Sequence, residues 1–310
     1  MDFSSALPTF IVTLREGTEA ALVVGIVLAY LQKAQQTRLN SWVFAGIGAG
    51  ILGSVLVGAV FGGVMVALAA SDQLYAPVVK QLLEAIFGVV AIILLSWMLI
   101  WMTQQARQMK GEVEEAISEA LKSDRAGWGV FGLVTIAVLR EGFETVVFIA
   151  AQFQQGWLPA VGAVAGLLGA TGIGVLLFRL GVKINLRQFF QVMGVLLLLI
   201  VSGLVVSALR HFDKAAALFS QISDTPLCFS TSSCILGAQV WDLSQVLPDR
   251  QFPGILLKAF FGYTQTLYVV QAVAYLVFLG IVGSLYLRSI TGIQSVSNST
   301  QTQEKLPLTD

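Results

Sequence analysis

Charge is what this sequence has least of. Charged residues make up 12% of its 310 positions, against about 25% in a soluble globular domain. That deficit excludes a water-soluble enzyme and a disordered chain alike. Lysine plus arginine and aspartate plus glutamate number 18 each, so no excess of either sign points to nucleic acid or another polyanion. Two cysteines rule out a disulfide scaffold and a cysteine-rich metal centre. A single histidine, His211, argues against a zinc, haem or copper site built on imidazole. The start, Met1-Asp2-Phe3, has no basic stretch ahead of its apolar run. A signal peptide's layout is missing, and the first segment is expected to be retained.

Apolar residues are abundant, at 56% of the chain with a mean hydropathy of +0.81. Mostly apolar segments cover 7–31, 43–70, 78–102, 130–153, 157–180, 189–209 and 266–287. A helix of about 20 residues spans a hydrocarbon core of roughly 30 Å, so the fold class is an all-α polytopic membrane protein with about seven transmembrane helices. Most basic residues near segment ends, among them Lys33, Arg38, Lys122, Arg125, Arg187 and Arg288, fall on one side of such a chain. The positive-inside rule then predicts an outer N-terminus and a cytoplasmic C-terminus in the plasma membrane. Residues 1–290 form one transmembrane domain with an extracytoplasmic loop at 210–265 and a last helix at about 266–287. The tail 291–310, rich in Ser, Thr and Gln, is expected to be disordered and cytoplasmic.

Two copies of one pattern divide the first six segments. Arg15-Glu16-Gly17-Thr18-Glu19 in the first returns as Arg140-Glu141-Gly142-Phe143-Glu144 in the fourth. Gly46, Gly50, Gly53 and Gly58 in the second return as Gly162, Gly166, Gly169 and Gly174 in the fifth, at a constant offset of 116. The repeats are expected at about 7–102 and 128–209. Each holds three helices, so the second copy must insert upside down, as in transporters whose site lies where inverted repeats meet. Glycines at four-residue spacing let helix backbones approach closely in lipid; packing alone explains them.

The charged pentapeptides are harder to explain. An ionisable side chain at the bilayer centre costs at least about 2.5–3.5 kcal/mol. Glu16 and Glu19 are three residues apart, hence on one helix face with a rise of roughly 4.5 Å, and Glu141 and Glu144 repeat that geometry. If the repeats face each other, four carboxylates converge and demand protons or a cation. Three readings stand. Arg15 and Arg140 could neutralise Glu19 and Glu144, four residues on, leaving Glu16 and Glu141 without a partner; the carboxylates could relay protons; or they could coordinate a metal. All-oxygen ligation suits hard cations and iron, and argues against copper(I) and zinc.

The two motifs closely resemble the paired R-E-G-L-E signatures of the high-affinity iron permeases, the family of fungal plasma-membrane and bacterial EfeU-type permeases. Thr18 and Phe143 stand where that family often has Leu, at the variable position. The stretch Trp241-Asp242-Leu243-Ser244 and the run from Gly254 to Tyr263 also look like the family's loop before its last helix. The resemblance implies a transporter rather than an enzyme: an iron permease that carries Fe2+ or Fe3+ as substrate and needs no cofactor. Glu16, Glu19, Glu141 and Glu144 would be the metal ligands, supported by Arg15, Arg140, Gly17 and Gly142. Any oxidation of iron would belong to a separate extracytoplasmic oxidase, and an iron-donor protein is the bacterial counterpart. The competing readings are a permease for manganese or lead, or a membrane sensor or structural protein.

Weaker signals remain. Glu84 follows Lys80 by four residues, which fits either an ion pair or a place on the ion's access path. Asp213, Asp224, Asp242 and Asp249 dot the long loop, as a solvated fold or a cation-attracting vestibule with Asp242 on the access path. Cys228 and Cys234 lie on the oxidising side, where a local disulfide is expected. Glu112, Glu114, Glu115 and Glu119 alternate with bases between the third and fourth segments, as on an exposed cytoplasmic helix. The orientation is testable. Cysteines placed at Ser118 and Ser244, in a background lacking Cys228 and Cys234, should label from opposite sides with an impermeant thiol reagent; labelling of both from one side contradicts it.

Overall fold

In lipid a spanning segment must satisfy its backbone polar groups internally, and helix does so segment by segment. The computed structural model describes residues 6–69, 75–105, 109–122, 125–151, 158–178, 185–223, 228, 233–249 and 251–304. The long apolar segments are helices: α1 (Ala6–Lys33), α2 (Asn40–Ala69), α3 (Ala76–Gln105), α5 (Ala126–Ala151), α6 (Leu158–Phe178), α7 (Leu186–Ser223) and α9 (Val269–Glu304). Pro8, Pro77 and Pro159 each sit in the first turn of α1, α3 and α6, where no intrahelical N–H bond is lost. Among the described residues five helices, α2, α3, α6, α7 and α9, are long and apolar enough to cross a membrane. The other two long ones, α1 and α5, are those whose apolar runs the R-E-G-x-E motifs interrupt. The chain is an all-α membrane protein.

Helices pair across the two halves of the chain: α1 lies along α6, α2 along α5 and α3 along α7. The glycines make the first two contacts close. A Cβ on Gly50 would stand 2.7 Å from Val138 Cβ and 3.1 Å from the Thr135 carbonyl; on Gly166 it would stand 2.7 Å from the Phe10 carbonyl and 2.9 Å from Thr13 Cβ. Gly53 meets Leu139 as Gly169 meets Leu14, and Gly58 meets Val146 as Gly174 meets Ala21. Each of these glycine contacts between α2 and α5 thus has its counterpart between α6 and α1. The opposite faces of α2 and α6, with Leu52, Leu56, Val164 and Leu168, are exposed, as suits lipid. Ile11 and Val12 of α1, Leu95 and Leu99 of α3, Phe148 of α5, Leu197 and Val201 of α7 and Tyr286 of α9 form the main buried cluster.

Several boundaries differ from the expectation. The sixth segment does not stop at 209: α7 runs on to Ser223, because its polar end is held by the loop it supports. Arg210 donates to the Thr266 carbonyl at 3.0 Å, and Asp213 accepts from the Ile235 N–H at 2.8 Å. The last helix begins at Val269, not 266, since Thr266–Tyr268 form β2, antiparallel to β1 (Gln239–Asp242). Buried Gln271 pins its start, donating to the Val206 carbonyl at 3.0 Å and accepting from the Tyr268 N–H at 3.2 Å. This two-stranded ribbon and α8 (Gly254–Phe261) order a loop that composition left featureless. Gly262, at φ 65°, ends α8 and lies against Gly203 of α7. Cys228 and Cys234 form a disulfide. The acidic helix α4 (Met109–Lys122) is there, with Glu115 and Glu119 exposed, but it buries Ile117 against α1 and α5 rather than standing free. α9 continues as helix to Glu304, into the stretch expected as a tail. Asp224 and residues 305–310 lie outside the described residues.

The glycine contacts carry a stability prediction. Gly166→Val should destabilise the protein by about 1–3 kcal/mol, the usual cost of overpacking, whereas Gly172→Val, whose Cβ would meet nothing within 4 Å, should leave thermal unfolding in detergent unchanged. Equal losses would contradict the packing described.

Candidate metal centre

The motif glycines bring the charged helices close to their neighbours. Gly17 faces Ala170 of α6, at 2.7 Å from a built Cβ, and Gly142 faces Ser54 of α2. With α1 and α5 also in contact, the two glutamate pairs meet inside the bundle. One carboxylate oxygen from each of Glu16, Glu141 and Glu144 lies within 4.8 Å of the others. Oxygens that ligate a hard cation at about 2.1–2.6 Å stand at such separations from one another.

Arginine takes one side of the cluster. Arg15 Nη1 is 2.9 Å from Glu16 Oε1, and its Nη2 is 3.3 Å from Glu19 Oε1. Arg140 gives Nε and Nη2 to Glu141 Oε1 at 3.0 and 2.6 Å. Two expectations need correcting. Glu16 and Glu141 do have arginine partners, because a guanidinium on its long stem reaches the adjacent residue. Among the described residues no ion pair joins Arg140 to Glu144; the guanidinium carbon stands 5.6 Å from the centre of the Trp101 ring on α3. The Oε2 atoms of Glu16, Glu141 and Glu144 are buried without a hydrogen-bond partner, as is Oε1 of Glu19, which faces Arg15 at 3.3 Å. A buried oxygen in that state requires a proton or a cation.

The four predicted ligands therefore do not stand alike. Three converge; Glu19, as buried as Glu16 and Glu141, stays beside them on Arg15. Glu84 is elsewhere. It is buried near the start of α3, 3.3 Å from His211 Nδ1, and the same nitrogen is 2.9 Å from Gln81 Oε1. Fourteen residues before Met98 on one helix, it lies about 21 Å from the cluster's level along the axis. His211 is thus a partner of Glu84 at the α3–α7 contact. Asp242 is exposed at the end of β1, where the Ser244 N–H donates to its Oδ1 at 3.0 Å, and that bond holds its carboxyl below the usual range. Neither joins the cluster. Two residues that sequence reasoning missed do touch it: Met98, whose sulfur accepts from Arg15 Nη1 at 3.4 Å, and Trp101. Their one signal is a spacing of three on α3, and an aromatic at a predicted helix end reads as an interfacial anchor.

Comparison with known proteins places the chain in a family. The model of the "Iron permease FTR1 family" matches residues 6–287. An uncharacterized protein of Synechocystis sp. is 49% identical over 296 residues, 94% of this chain and 96% of its own. A protein of Escherichia coli O157:H7 named ferrous iron permease EfeU is 32% identical over 273 residues, 87% of this chain and 91% of its own. Its namesake in Yersinia pseudotuberculosis is 31% identical over 280 residues, 89% and 90% of the two chains. No solved structure matches.

The two arginines should respond differently to removal. Arg15 is 3% exposed and Arg140 49%. Arg15→Met strands two buried carboxylates, a change that costs about 3–5 kcal/mol. Arg140→Met, at a half-exposed position, should cost clearly less. Thermal unfolding of both purified variants decides; an equal or reversed order contradicts the burial described.

Proposed function

The chain belongs to the iron permease FTR1 family and is an iron permease; on that premise we propose that iron crosses the membrane through the glutamate cluster of α1 and α5. The observation that carries this reading is the convergence of Glu16, Glu141 and Glu144 with three buried, unpartnered carboxylate oxygens. Four clustered carboxylates against two guanidiniums leave a surplus of two negative charges when all are ionised, which a divalent cation balances. Arg15 and Arg140 occupy the inner oxygens. They keep the empty cluster from repelling itself apart, and their charge lowers the affinity enough for the ion to leave. Since the named relatives are ferrous permeases, the cargo of this reading is Fe(II).

The scaffold of this reading is seven spans, two inverted three-helix repeats and a final helix. It is supported by the matched contacts of α2 with α5 and α6 with α1, which a two-fold axis between opposed halves would generate. The basic-residue bias sets the N-terminus and the 210–265 loop outside the plasma membrane and the C-terminus inside. The ordered ribbon with exposed Asp242 then faces outward, where an iron-donor protein or an oxidase would dock, and Glu84 lies on the way inward. Oxidation of iron, where required, falls to that separate partner.

Uptake by purified protein in liposomes tests the site. Glu16→Gln, Glu141→Gln and Glu144→Gln should each cut iron(II) uptake at least tenfold, roughly the lower bound for disturbing a metal's surroundings, with protein level unchanged. Glu19→Gln should cost less. Normal uptake by the first three variants would refute the carboxylate route and leave the family's activity to another path.

A further inference from the structure

Both arginines of the site rest on one turn of α3. Arg15 Nη1 donates to Met98 Sδ, and the Arg140 guanidinium stands 5.6 Å from the centre of the Trp101 ring. The two motifs have the same pattern, R-E-G-x-E, yet they pair differently. Arg15 spans both of its glutamates, including Glu19 four residues on. Arg140 places two nitrogens on the single atom Glu141 Oε1 and leaves Glu144 out, although a pair at four-residue spacing is within reach. Correspondingly, Glu144 is in the three-oxygen cluster and Glu19 is not. Arginine and both glutamates stand at the same spacing in each motif, so the surroundings of the two arginines are where the difference is sought. A cation within about 6 Å of an indole face is attracted to it, and the half-exposed Arg140 has room to swing where the buried Arg15 has none.

We propose that Trp101 is a positioning residue for the iron site: its ring holds Arg140 on Glu141 and off Glu144, which frees Glu144 to bind the metal. This rests on the glutamate cluster being the site. The centre is then an unsymmetrical cage of Glu16, Glu141 and Glu144, with Glu19 held back by Arg15. Without the ring, Arg140 takes up the bridge that Arg15 makes, and competes with iron for the Glu144 carboxylate. Apparent affinity falls while the protein can still turn over.

A double-mutant cycle on iron(II) uptake in liposomes tests this. Trp101→Leu should raise KM about 2- to 30-fold, the range that a cation–π contact covers, with kcat within about twofold, and Trp101→Phe should recover most of the loss. In an Arg140→Gln background Trp101→Leu should change nothing further, since no guanidinium is left to hold. The same rise in both backgrounds would overturn the proposal, because Trp101 would then act through packing alone. If Trp101→Leu does not fold, Trp101→Phe in the same cycle decides: its smaller rise must also vanish without Arg140. Glu144→Gln run alongside separates the two claims. Loss of uptake there with an unaltered KM in Trp101→Leu refutes the role of Trp101 and keeps the site; full uptake in Glu144→Gln refutes both.

Discussion

Everything in this structure answers to six ionisable side chains placed among apolar helices. Ionisable groups facing hydrocarbon are costly, and the bundle buries Arg15, Glu16, Glu19 and Glu141 and leaves Arg140 half-exposed. The glycines of α2 and α6 let those helices close on α5 and α1, and Gly17 and Gly142 remove the side chains that would hold the pairs apart. Beneath the cluster, α3 supplies a soft sulfur and an indole face to the two guanidiniums.

Much of this was legible in the sequence because the signals were physical extremes. Two charged pentapeptides inside apolar runs, and glycines repeated at one offset, identified the site helices and their neighbours. Motif resemblance named the family, which the full-length match bears out. What was not legible was pairing. Helical spacing offered Arg15–Glu19 and Arg140–Glu144, and one of the two forms; Arg140 stands instead on Glu141 and beside Trp101, on a helix that spacing rules do not connect to the motif. Hydropathy likewise placed the sixth segment's end at Leu209, since it registers the loss of apolar character and not the continuation of a helix whose polar face holds a loop. The ribbon Gln239–Asp242 with Thr266–Tyr268 escaped for a related reason: its partners are far apart in sequence and each is too short to announce itself.

Glu84 and His211 show how one composition can serve different ends. Glu84, a buried glutamate on α3, stands beside an imidazole from α7, about four helical turns from the cluster, so it is no part of the cluster itself. The charge of the cluster is therefore set by four carboxylates and two guanidiniums. Arg15 stands on one oxygen each of Glu16 and Glu19, and Arg140 on one oxygen of Glu141, so the arginines leave the other oxygens of these carboxylates uncovered.

The central claim is that iron rests on carboxylates contributed by both charged helices. Anomalous diffraction at the iron edge from iron(II)-loaded crystals tests it most directly. The account predicts an anomalous peak enclosed by Glu16, Glu141 and Glu144, with the Glu19 carboxylate still on Arg15. A peak elsewhere in the bundle, with those three carboxylates bearing no metal, would contradict it.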